Sequence, residues 1–150
     1  MNPAEPFHLL LAEDDPSDAK LTEVGLREIG CWAEITWVKD GEETLEYLFS
    51  TGRHAARAGA PLPGLLLLDM QMPRLSGLEV LEKLRADPRT HNLPVVVFTS
   101  SYQTELHQQA LALGANGCYS KPLHLDDYLA TLRQIVERWI APPSPSARAA

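Results

Sequence analysis

Two kinds of segment take turns along this chain, and that alternation constrains its fold more than any other feature. Short apolar, often β-branched runs at His8 to Ala12, Glu34 to Val38, Leu65 to Leu68, Val95 to Phe98 and Gly117 to Ser120 are separated by longer stretches with apolar residues at helical spacing. Strand and helix signals in strict rotation predict an α/β fold with a parallel sheet, because a parallel pair needs a crossover between its strands. Leu65 to Leu68 and Val95 to Phe98 are apolar at every position, as expected of central strands covered by helices on both faces. The expected order is (βα)5, a doubly wound five-stranded sheet.

The helix starts are marked by their capping chemistry. Asp15, Pro16 and Asp18 read as a cap, a proline at the first helical position and an acid in the first turn, opening a helix through Ile29 that stops at Gly30. Asp40-Gly41-Glu42-Glu43 and Ser76-Gly77-Leu78-Glu79 each place an acid three residues after a capping side chain, where it can reach back to a free N–H. Leu106, Ala110 and Leu113 before Gly114 mark a fourth helix. A fifth carries a continuous apolar stripe from Leu125 through Leu129, Leu132 and Val136 to Ile140. Ser50 to Gly64 is long for a helix-to-strand connection and reads as an inserted surface loop. The Pro-rich end, 141–150, cannot continue a helix and is expected to be a disordered tail, leaving 1–140 as one domain.

The bulk properties exclude several function classes. The 150 residues suit one core, and 45% hydrophobic with 22% charged residues is ordinary globular composition. A net charge of -7 offers no basic footprint for direct binding of nucleic acid. No apolar run approaches the roughly 18 residues that span a bilayer. Met1 to Pro6 lacks the basic and apolar regions of a signal peptide, so the expected location is cytoplasmic. Cys31 and Cys118 have no metal-ligand spacing, and neither have the five histidines, which read as surface or loop residues.

In a parallel sheet every strand ends on one edge, and ligands bind beyond that edge. The residues just after the apolar runs therefore belong together: Glu13-Asp14-Asp15, Asp69, Thr99-Ser100 and Lys121-Pro122. Singly they are unremarkable, since Asp69 reads as a loop cap, Lys121 as a surface lysine and Thr99 as a strand end. Jointly they form a charged cluster with its own logic. Carboxylates held close either keep a proton or share a cation, and magnesium suits one or two carboxylates completed by water and phosphate oxygens. With such an ion beside it, Asp69 can attack phosphorus to make an acyl phosphate, while Lys121 offsets charge on the phosphoryl oxygens and Thr99 donates its hydroxyl to one of them.

Four pieces, LLLAEDD, LLLLDMQMPRLSGLEVL, PVVVFTSS and GCYSKPL, carry a family resemblance. From Phe7 to about Ile140 the chain resembles the receiver domain of bacterial response regulators, whose fold is flavodoxin-like with strand order 2-1-3-4-5. The resemblance implies that Asp69 is the phosphoacceptor, that Glu13 and Asp14 are the acidic pair, and that the backbone carbonyl of Gln71 joins the Mg2+ shell. It also makes Thr99 the switch hydroxyl and Lys121 the phosphate partner. One departure concerns the switch, because the aromatic residue that many receivers carry three positions before the lysine is Cys118 here, with Tyr119 one later. Gln71 stands where Asn is common, with consequences for hydrolysis rate before affinity.

A narrower resemblance links the inserted 50–64 segment, LLLAEDDPSDAKL and RADPRTHNLPVVVFTSS to the small stand-alone regulators that accompany bacterial phytochromes. It implies a single-domain response regulator that takes a phosphoryl group from a sensor histidine kinase, in that case a bacteriophytochrome, and signals by protein contact or phosphorelay. Its chemistry is then limited to magnesium-dependent self-phosphorylation and autodephosphorylation. The family's usual association face predicts a homodimer through the fourth and fifth helices, with Trp139 adding exposed area. Two competing readings remain: a pseudo-receiver serving only as an interaction module, against which the intact acids speak, and an aspartyl phosphohydrolase. The latter usually needs a second acid two residues after its nucleophile, where this chain has Gln71.

Overall fold

The five apolar runs become five strands in the structure, a computed structural model that describes residues 6–140. They are β1 (His8–Ala12), β2 (Glu34–Val38), β3 (Leu65–Leu68), β4 (Val95–Thr99) and β5 (Gly117–Ser120), all parallel, in the order β2-β1-β3-β4-β5. The flavodoxin-like order is the one expected. β4 runs one residue further than its apolar pattern, to Thr99, a shift within the ordinary fraying of strand ends. The predicted tail, 141–150, lies outside the described residues.

Between the strands run α1 (Pro16–Glu28), α2 (Gly41–Phe49), α3 (Gly77–Ala86), α4 (Thr104–Ala112) and α5 (Leu125–Trp139). The caps work as their sequence suggested: Asp15 accepts from the N–H groups of Ser17 and Asp18, Asp40 from Glu43, and Ser76 and Glu79 complete a reciprocal capping box. Because side chains alternate along a strand, the sheet faces two cores. Leu10, Ala12, Leu66, Leu68, Val95 and Val97 pack toward α2, α3 and α4, while Leu9, Leu11, Leu65, Leu67, Val96 and Phe98 pack toward α1 and α5. Gly25 lets α1 close on α5, since a Cβ there would stand 2.7 Å from a Leu132 methyl. Thr22 and Tyr128 join the same two helices through their hydroxyls (2.8 Å).

Three expectations change on contact with the structure. The inserted segment folds into a 3-10 helical stretch, Gly52–Arg57, clamped to α2: Arg53 pairs with Glu46 (2.7 Å), His54 with Glu43 (2.9 Å), and the Arg57 guanidinium lies 3.7 Å from the Tyr47 ring centroid. Acids on α2 and bases seven to eleven residues later, a spacing within reach of one turn-back, explain why it does not hang free. His8, in the strand the sequence predicted, is partly buried rather than a surface residue, its Nε2 within 3.1 Å of the Thr36 hydroxyl and 2.9 Å of the Tyr47 hydroxyl. Trp139 is not free area for a dimer, for it packs edge-on to Tyr119 (5.8 Å) and fills the space over Gly117, where a Cβ would meet its ring at 2.6 Å.

Candidate functional site

The carboxyl edge of the sheet gathers the residues that end β1, β3 and β5. The backbone fixes them first: the N–H of Glu13 donates to the Val38 carbonyl (3.1 Å), that of Asp69 to the Ala12 carbonyl (3.0 Å), and that of Lys121 to the Thr99 carbonyl (2.7 Å). Each functional residue thus continues a ladder one step beyond its strand. Gly77 brings α3 close under the site, since a Cβ there would lie 2.7 Å from the Asp69 carbonyl oxygen.

The carboxylates of Glu13, Asp14 and Asp69 converge so that one oxygen from each lies within 4.8 Å of the others. Glu13 and Asp69 are buried and Asp14 is exposed, so the cluster opens to solvent on one side. Lys121, also buried, reaches across it: its ammonium is bonded to Glu13 and lies 3.5 Å from Asp18 and 3.7 Å from Asp69. The Phe98 ring lies beside the ammonium, 5.8 Å from its centroid. Gln71 is exposed and donates its backbone N–H to Asp69 Oδ1 (3.2 Å), which places the Gln71 peptide beside the carboxylate. Thr99 is fully buried at the end of β4, next to β3, and its hydroxyl accepts from the Ser101 N–H (3.3 Å).

The electrostatics show a site one positive charge short. Burial pushes the Glu13 carboxyl up to about 7; the hydrogen bond from Lys121 pulls it back, and the charge of Asp69 adds to the rise. For Lys121, burial works against the charge, but Asp69, Glu13 and Asp18 outweigh it and hold the ammonium above the usual lysine range. One ammonium serves several carboxylates, and Glu13 holds its proton more tightly than an ordinary glutamate. A hard divalent cation fits this donor set: oxygens alone, two buried and one open to water, and a proton held where an ion would relieve the repulsion.

Every sequence-predicted site residue lies on this edge. Glu13, Asp14, Asp69 and Lys121 come together directly, with the Gln71 peptide adjacent and Thr99 on the neighbouring strand. Several contributors were not anticipated. Asp18, read only as a first-turn acid, turns its side chain to Lys121. Trp37 on the edge strand donates its indole N–H to the Glu13 carbonyl (2.6 Å). In the corner between β4 and β5, the Tyr102 hydroxyl donates to the Lys121 carbonyl (2.7 Å), and the Ser101 carbonyl accepts from Ser120 (3.1 Å) and lies 2.9 Å from His107 Nε2. Apolar and polar periodicity gives no signal for which distant residue a polar side chain on a helix, a strand end or a loop will meet. Cys118, in place of the usual aromatic, is half-buried, and burial pushes its thiol up to about 11. It is an unreactive packing residue at neutral pH.

Residues 9–133 match the model of the response regulator receiver domain. The probable methanogenesis regulatory protein FilR2 of Methanothrix harundinacea is 33% identical over 136 residues, spanning 91% of this chain and 85% of that protein. Among solved structures, the phosphorylated cyanobacterial phytochrome response regulator RcpA superposes with a TM-score of 0.81 at 29% identity, covering 91% of this chain and 95% of its own. The Mn2+-bound form of response regulator Rcp1, a protein of Synechocystis, gives a TM-score of 0.81 at 27% identity over 93% of this chain and 98% of its own.

Proposed function

This chain belongs to the response regulator receiver domain family, and from that membership we propose that Asp69 accepts a phosphoryl group from the phosphohistidine of a sensor histidine kinase. One Asp69 carboxylate oxygen attacks phosphorus; a new O–P bond forms as the donor's N–P bond breaks. Glu13, Asp14, Asp69 and the Gln71 backbone carbonyl would hold Mg2+, which when bound offsets negative charge on the phosphoryl oxygens. Lys121 does the same from the opposite side. Thr99 exchanges its contact with the Ser101 N–H for one in which its hydroxyl donates to a phosphoryl oxygen, and the loop after β4 follows. Receiver domains are phosphoacceptors, and the chemistry assigned here goes no further than acquiring the group and losing it to water. We assign residues 1–140 to this domain and place it in the cytoplasm.

The convergence of Glu13, Asp14 and Asp69 within 4.8 Å, with Lys121 bridging two of them, carries this reading. Intact mass after incubation with acetyl phosphate tests it. The wild type should gain one phosphoryl group in the presence of magnesium and none without it, and Asp69→Asn should gain none. A wild type that gains nothing would favour an interaction module without phosphoryl chemistry, and a gain that survives Asp69→Asn would place the acceptor elsewhere.

The likeness to RcpA, itself a phytochrome response regulator, supports a bacteriophytochrome as the donor kinase. A homodimer through α4 and α5 is the family's usual arrangement, and with Trp139 packed inward its area would come from residues such as Tyr102 (61% exposed) and Leu111 (49% exposed). Light scattering should show a mass increase on addition of beryllofluoride with magnesium. A monomer under both conditions removes the dimer from the reading.

A further inference from the structure

We infer that Asp18 is a positioning residue that holds the Lys121 ammonium away from the phosphoryl position and so slows phosphorylation of Asp69. The inference rests on the receiver reading above and adds a residue to it. In the structure Lys121 has three carboxylates around its ammonium: Glu13, Asp18 at 3.5 Å and Asp69 at 3.7 Å. Two of these belong to the cluster suited to a cation, together with Asp14; Asp18 does not. An ion that engages Glu13 and Asp69 therefore leaves Asp18 as the carboxylate still available to Lys121. An incoming phosphoryl oxygen then competes with Asp18 for the ammonium, and it also meets the negative charge of Asp18 nearby.

The backbone at Asp18 is held independently of its carboxylate. Asp15 caps the N–H groups of Ser17 (2.8 Å) and Asp18 (3.4 Å), and the Asp18 carbonyl accepts from the Thr22 hydroxyl (3.0 Å), which is tied in turn to Tyr128 on α5. The carboxylate takes no part in the capping, which Asp15 performs, and points to the Lys121 ammonium instead. Its side chain is 43% exposed, against 9% for Lys121, so solvent screens the pair and the effect is a tuning of rate rather than an on-off gate. A purely structural role for an acid in a first helical turn would alter the stability of α1 and leave the Lys121 resonance and the phosphorylation rate unchanged.

The test compares wild type, Asp18→Asn and Asp18→Glu for the rate of aspartyl phosphate formation from acetyl phosphate at saturating magnesium. Asp18→Asn should react about 5-fold faster, the advantage shrinking as ionic strength rises, and Asp18→Glu should stay near the wild-type rate. In metal-free protein the nitrogen NMR resonance of the Lys121 ammonium should move in Asp18→Asn. Equal or lower rates in Asp18→Asn, or a Lys121 resonance that does not move, overturn the role of Asp18 while leaving the receiver reading intact. Absence of phosphorylation in all three proteins overturns the receiver reading itself, and the inference with it.

Discussion

Two neighbouring regions at the carboxyl edge of the sheet are built on opposite principles. The pocket of Glu13, Asp14, Asp18, Asp69 and Lys121 is dense in charge, and most of it hangs directly on strand ends. The corner of Thr99, Ser101, Tyr102, His107 and Ser120 is held by hydrogen bonds between hydroxyls, an imidazole and backbone carbonyls. The first stores repulsion that an ion or a proton relieves. The second stores directional bonds that can be exchanged for others at little net cost. A pocket of the first kind is suited to sensing the arrival of charge, and a corner of the second kind to changing shape in response.

Removing the Lys121 ammonium from the pocket is the harshest way to break this contrast. In the metal-free protein Glu13 keeps its proton up to about 7, whereas an unfolded glutamate loses it near its usual 4.5. Between these values the folded state binds more protons than the unfolded state, so the contribution of Glu13 to stability is fully present below 4.5 and is lost as pH rises toward 7. Lys121→Ala deletes the counter-charge that limits the loss. It should cost about 3 kcal/mol above neutrality, the scale expected for stranding a buried charge, and clearly less at about pH 5, where Glu13 is protonated. Magnesium should restore most of the difference. Urea unfolding at both pH values, with and without the ion, measures this, and a loss independent of pH would mean that Lys121 contributes packing rather than charge.

The same contrast explains what could be read from the sequence. Glu13, Asp69, Thr99 and Lys121 were visible because a parallel sheet sends the residue after every apolar run to one edge, whatever the details of the loops. The strand order came only with the family resemblance, whereas the capping of α1, α2 and α3 was legible for similarly local reasons. Asp18 was not, because its link to Lys121 spans more than a hundred residues and depends on which way a first-turn side chain leans. Tyr102, His107 and Ser120 sit in a loop, on a helix and on an edge strand whose relative placement no periodicity encodes. Trp37 was readable as a strand residue and not as a donor to the Glu13 carbonyl. The segment 50–64 is the surface insertion its length suggested, and what composition did not show is that Arg53, His54 and Arg57 tie it to α2.

A milder change sharpens the contrast from the other side. Tyr102→Phe keeps the ring and removes one neutral hydrogen bond to the Lys121 carbonyl. Because Tyr102 is largely exposed and the freed carbonyl can take water, the loss should be about 0.5–1 kcal/mol. Raising the salt concentration should leave it unchanged, whereas the Asp18–Lys121 pair on the exposed side of the pocket responds to screening. Urea unfolding of the metal-free variant in low and high salt checks this. A salt-dependent loss, or one as large as that of Lys121→Ala, would show that the corner is electrostatically continuous with the pocket. The small, salt-independent loss instead makes Tyr102 a latch of limited strength on Lys121, the proposed partner of the phosphoryl group. The carbonyl of Lys121 is then anchored to the loop that Thr99 would move, so displacement of that loop on phosphorylation must either carry Tyr102 with it or give up this bond. The corner can follow the pocket because its bonds are weak enough to exchange.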